Sequence, residues 1–121
     1  MPTADHDVPA SVGTFTDDVL ASHDAVALAE LVRSGDVSSR ELVDAVIARS
    51  EAAAPLDAIA TEDFERARAD AGRSRTGPFA GLPLFIKDNT AVAGLRTGHG
   101  TDAMATARSA APSMCSWIRS R

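Results

Sequence analysis

Gly81-Leu82-Pro83-Leu84-Phe85-Ile86-Lys87-Asp88-Asn89-Thr90 is the stretch on which the reading of this chain turns. Leu84-Phe85-Ile86 is a short apolar run with the pattern of a strand buried on both faces. It ends on Lys87, after which Asp88-Asn89-Thr90 and then Gly94, Gly98 and Gly100 form a polar, glycine-bearing connection. Catalytic groups are commonly displayed where such a strand opens into a loop. A lysine held against apolar surroundings loses hydration of its charged form, so its pKa falls and the neutral amine becomes a usable base. Taken alone, a lysine closing an apolar strand is usually a solvated end-cap, and it is the polar, glycine-bearing context that raises the catalytic reading. Asp88 and Asn89 either orient Lys87 or close a turn, and their composition favours the turn.

Upstream, the pattern is helical. Asp24 stands at an N-cap position, Leu28, Leu31 and Val32 fall at i, i+3 and i+4, and Arg33 followed by Gly35 marks a stop. Ser38-Ser39-Arg40-Glu41 reads as a capping box. It opens a second helix with Leu42, Val43, Val46 and Ile47 on one face and Asp44 and Arg49 on the other, ending near Ala54-Pro55. So short a link predicts a helical hairpin. Leu56 to Ala60 alternates like a short strand, and a third helical pattern runs from Thr61, through Phe64, Ala67 and Ala71, to Gly72. Residues 1–22 read as a loose arm with one helical turn at Thr16–Leu20. Two short strands are marginal in water, so the run 84–86 needs partners from another chain or from sequence outside these residues.

Length and composition bound the rest. With 121 residues, 45% hydrophobic and 24% charged, the chain is long enough for one domain and has globular composition. Aromatics are only 4%, and much of the apolar content is alanine, so the core is thin. A net charge of -5 argues against a nucleic-acid partner. A single cysteine, Cys115, excludes an internal disulfide framework and a Cys-based zinc site. His6, His23 and His99 lack ligand spacing, so no metal is expected. Gly98-His99-Gly100 is not a phosphate loop, since no Lys-Ser/Thr follows it. No run approaches the ~18 apolar residues of a membrane span, and the acidic start is not a secretory signal. A cytoplasmic location is the expectation.

The segment 81–89, followed by Val92-Ala93-Gly94-Leu95-Arg96-Thr97, resembles the lysine segment of amidase-signature enzymes. The hairpin, from Leu31 to Gly35 and on through Val37-Ser38-Ser39 and Glu41-Leu42-Val43, is similar to the N-terminal hairpin of that family. Asp57-Ala58 departs from the Asn-Ala pair usual there. The resemblance spans roughly Asp17 to Ala103. It implies an α/β fold: a helical hairpin plus the first strands of a mixed sheet, incomplete in this chain. It also implies a Ser–Ser–Lys triad hydrolysing a small-molecule amide with no cofactor. Lys87 is the base, and a bridging serine relays the proton from a nucleophilic serine. Lys87 is the only triad member that carries over. Ser109, Ser113, Ser116 and Ser120 lack the glycines that let backbone N–H groups approach an oxyanion, and none is assigned. Cys115 has no pattern of a nucleophile around it.

Three segments follow: a loose arm over 1–22, the N-terminal part of an amidase-signature domain over 23–102, and an atypical tail over 103–121. The tail has no acid and no clear periodicity, and it collects the only Cys, the only Trp and two of the three Met. A shifted reading frame or early stop is the expectation there, with a disordered tail as the alternative. The chain is thus expected to be an inactive fragment of an amidase. An amidotransferase of the A-subunit type is the variant within the family. The rival from another class is a non-catalytic helical module that binds a partner through the Leu42/Val46 face. Unpaired strand edges also predict self-association.

Overall fold

The computed structural model describes residues 18–74, 76–101, 103 and the backbone of 107–108. In chain order the elements are α1 (Ala25–Ser34), α2 (Ser39–Ala52), a 3-10 turn (Ala54–Leu56), α3 (Phe64–Ala71), β1 (Arg96–Thr97) and β2 (Ala107–Arg108).

Local chemistry sets the helix ends. The Asp24 carboxylate accepts from the Ala27 N–H at 2.9 Å and satisfies one of the orphan donors of α1. Gly35, at φ 85°, ends that helix, its N–H donating to the Leu31 and Val32 carbonyls. At the start of α2 the capping box is complete. The Ser38 hydroxyl accepts from the Glu41 N–H at 3.2 Å. The Glu41 carboxylate accepts from the Ser38 N–H at 2.8 Å and from the Ser38 hydroxyl at 2.7 Å. These bonds hold the Glu41 carboxyl below the usual carboxylate range, the Ser38 N–H contributing most and the hydroxyl next.

Leu28, Ala29, Leu42, Val43, Ile47 and Val92 are the buried apolar residues among those described, and Leu42 is fully enclosed. The expected stripe of α2 therefore faces inward, apart from a half-buried Val46. Its close backbone approach is to α3 rather than to α1, so the tightest helix pair is α2 with α3. Arg68 of α3 ties them with a 3.0 Å bond to Asp44. Arg49, expected on the solvent face, instead donates to Asp18 at 2.8 Å, and the two side chains are only 20% and 24% exposed. At least one residue of the expected loose arm is thereby held against α2, where a turn closes from the Ala21 N–H to the Asp18 carbonyl. Residues 1–17 of that arm, with His6, lie outside the described residues.

Leu56 to Ala60 forms no strand. The 3-10 turn ends on Asp57 in the left-handed region, at φ 48°. Asp and Asn are the non-glycine residues that enter this conformation most readily, so Asp57 suits a position where Asn is usual. Gly81, at φ 85°, lets the chain press against the helices. A Cβ there would run into the Ser39 hydroxyl and come within 3.3 Å of Val32 Cγ1.

The run 84–86 corrects a second expectation. Residues 82–87 lie outside any strand, with Leu84 and Phe85 67% and 63% exposed. A strand buried on both faces needs neighbours on each side, and none is present among the described residues. The only sheet described is antiparallel, β1 with β2, with Arg96 opposite Arg108 and Thr97 opposite Ala107. Residues 107–108, within the stretch read as an atypical tail, supply the partner of β1.

Candidate active site

Lys87 is among the residues lining an open concavity of about 1030 Å³, to which α2, α3 and the segment 79–90 contribute. Val43, Val46, Ile47 and Phe64 supply apolar lining, and Leu84, Phe85 and Asp88 line it as well. The apolar setting expected around the lysine is not seen among the described residues, where Lys87 is exposed. Its main-chain carbonyl accepts from the Thr90 N–H at 3.0 Å, so the chain turns immediately after it.

The favoured role of Asp88 and Asn89, closing that turn, is seen, and Asp88 does more. One carboxylate oxygen accepts from the Gly98 N–H at 2.8 Å and the other from the Gly100 N–H at 3.2 Å. Its main-chain carbonyl accepts from the His99 N–H at 3.0 Å. The Gly98 and Gly100 bonds, in that order, hold the Asp88 carboxyl below the usual range; partial burial opposes them and the charges of His99 and Arg96 assist. Asn89 only accepts from the neighbouring Thr90 hydroxyl at 3.3 Å. The sequence offered Asp88 as a turn former. Its bonds to residues ten and twelve positions away had no signal beyond the two glycines.

Gly94, at φ 76°, lies beside Arg66, whose guanidinium donates to the Ala93 carbonyl at 3.1 Å. Together with buried Val92, that bond fastens the connection after Lys87 to α3. Among the described residues no group of three His, Cys, Asp or Glu is arranged to hold a metal ion. His23 bonds the Val19 carbonyl at 3.2 Å through its ring nitrogen. No described helix is long and apolar enough to cross a membrane. Ser109, Ser113, Cys115, Ser116 and Ser120 lie outside the described residues. The rival docking face fails at Leu42, which has no exposed surface to offer a partner.

The family model described as Amidase matches residues 41–115, which include Lys87 and run past Asp102. A Mycobacterium tuberculosis protein named "Putative amidase AmiC" is 51% identical over 96 residues, covering 76% of this chain and 20% of that protein. The A-type subunit of glutamyl-tRNA(Gln) amidotransferase from a Synechococcus strain is 49% identical over 75 residues, covering 54% of this chain and 15% of that one. The 6-aminohexanoate-cyclic-dimer hydrolase of Paenarthrobacter ureafaciens is 47% identical over 70 residues, covering 57% and 14%. The chain therefore spans about a fifth of the length of the first of these relatives. No solved structure matches it significantly. With its lysine turn and the greater part of its length inside the match, the chain belongs to the Amidase family.

Proposed function

We propose that Lys87 is the general base of a serine-dependent amide hydrolysis whose nucleophile lies outside these 121 residues. The observation that carries this reading is the location of Lys87 inside the matched segment and in the lining of the concavity. In the reaction, a neutral lysine accepts a proton through one serine from a second serine, which attacks the amide carbonyl. Ammonia or an amine leaves, and water then hydrolyses the acyl-enzyme. A lysine amine can serve as a base once deprotonated, whereas a guanidinium cannot. By the same proposal, the run 84–86 becomes a strand of a mixed sheet when the rest of the polypeptide supplies its neighbours.

The test uses a full-length amidase carrying this segment. Lys87→Ala and Lys87→Arg should both lower kcat by about 10²–10⁴-fold, the range for removing a general base. An Arg variant that retained most of kcat would make the role electrostatic and end the proposal. The 121-residue chain itself should release no ammonia from simple aryl and alkyl amides above its own Lys87→Ala control, because a base without an attacking group has nothing to acylate. The likeness to an amidotransferase favours a second reading, transfer of ammonia rather than its release. Amide formation on glutamyl-tRNA(Gln) by the full-length protein with its partner proteins separates it from simple hydrolysis.

A further inference from the structure

We propose that Asp88 is a positioning residue for Lys87: it clasps the backbone of residues 98–100 and thereby fixes the turn that carries the lysine.

The two sides of Lys87 are held unequally. On its N-terminal side, residues 82–87 form no strand, and Leu84 and Phe85 are mostly exposed, so that side contributes little to its orientation. On its C-terminal side the backbone is fastened closely. The Thr90 N–H closes the turn on the Lys87 carbonyl at 3.0 Å, and the next residue, Asp88, receives the N–H groups of Gly98, His99 and Gly100.

Three consecutive amides converging on one residue require an unusual backbone. His99 and Gly100 both have positive φ, 55° and 67°, and amides presented by a turn can together hold an anion. The Asp88 carboxylate takes the Gly98 and Gly100 N–H groups, and its main-chain carbonyl takes that of His99. Packing reinforces the fit, since a Cβ on Gly98 would lie 3.0 Å from Asp88 Oδ2. Arg96 favours the charged carboxylate, and Lys87 is its immediate neighbour in the chain. The clasp thus joins the lysine turn to the end of β1, ten residues away.

The functional consequence rests on the reading of Lys87 as a base, but the mechanical claim is testable without activity. Lys87 is the chain's single lysine. Reductive methylation with ¹³C-formaldehyde therefore reports on it alone beside the terminal amine. In the ¹⁵N-labelled 121-residue chain, the Gly98 and Gly100 amides should shift together through one acid transition below the usual carboxylate range, and the Lys87 methyl carbons should show an inflection at the same pH. Asp88→Asn and Asp88→Ala should abolish both. Backbone order at 87–90 should fall from about 0.85 toward 0.6 or below in Asp88→Ala, with Asp88→Asn, which keeps one acceptor oxygen, in between. Amides of Leu42 and Ile47 serve as the folding control. If Asp88→Ala disturbs them, the wild-type acid titration decides by itself. Loop amides that do not titrate would refute the clasp. Loss of the loop transition with Lys87 order and shift unchanged would reduce Asp88 to a loop closure. Either result leaves the kinetic test of Lys87→Arg untouched, so the two proposals fail separately.

Discussion

The helical part of the chain and the lysine-bearing segment after it handle apolar residues in opposite ways. In α1 and α2, Leu28, Leu42 and Ile47 are buried and the helix starts are capped by Asp24 and Ser38. In 79–90, Phe79, Leu84 and Phe85 are between 49% and 67% exposed, and 82–87 form no strand. The difference is one of self-sufficiency. A helix satisfies its backbone within its own residues and needs only one face covered. A strand satisfies its backbone only through neighbours, and a doubly buried strand needs layers on both faces as well.

The sharpest test of that contrast compares two truncations. Leu42→Ala should lower the unfolding free energy of the chain by about 2–5 kcal/mol, as for other enclosed leucines. Phe85→Ala should stay within about 0.5 kcal/mol, as for an exposed site. Urea denaturation measures both, and equal costs would show that the run 84–86 is buried in solution. Self-association, expected from unpaired edges, would in this structure arise from the exposed side chains, so Phe85→Ala should also weaken any concentration-dependent sedimentation.

Gly81 is where the two regions meet, and it sharpens the comparison at the next level. Gly81→Ala combines a strained left-handed backbone with a Cβ driven into Ser39, for a cost of about 1–3 kcal/mol. Gly35→Ala carries similar strain at φ 85°, but nothing lies within 4 Å of its Cβ. Its smaller loss, about 1 kcal/mol, isolates the backbone contribution. Equal losses at the two glycines would show that the segment does not press on the helices.

The smallest effect concerns the cap of α2. Ser38→Ala should cost about 1 kcal/mol at neutral pH. Glu41 has its pKa lowered on folding, so its contribution is present above the ordinary carboxylate pKa and is lost as pH falls through the depressed value. Denaturation midpoints of the wild type and Glu41→Gln should therefore converge as pH drops from about 5 toward about 2. A gap that persisted at acid pH would mean that the reciprocal bond is not formed.

Local signals are the legible ones. Asp24, Gly35, Ser38 and Glu41 act on residues two to four positions away, and each caps the helix end that its spacing indicates. The stripe Leu42, Val43, Ile47 is legible as one face, yet not as a face already covered, because burial depends on α3 and on the segment around Gly81. Spacing alone puts Arg49 toward solvent because its partner, Asp18, lies thirty-one residues away. Leu84-Phe85-Ile86 misleads for the reverse reason: its composition anticipates neighbours that are not among the described residues.

By itself the sequence determined the three helices, their caps, membership of the Amidase family through the segment around Lys87, and the choice of Lys87 as the candidate base. These rest on residues close together in the chain or on a contiguous motif, which spacing alone can reveal. Only the tertiary structure decided that α2 lies against α3, that Lys87 helps line an open concavity, and that Asp88 gathers the amides of residues 98–100. Those features join residues ten or more positions apart, and a hydrogen bond or packed contact at that range exists only once the intervening chain has folded back.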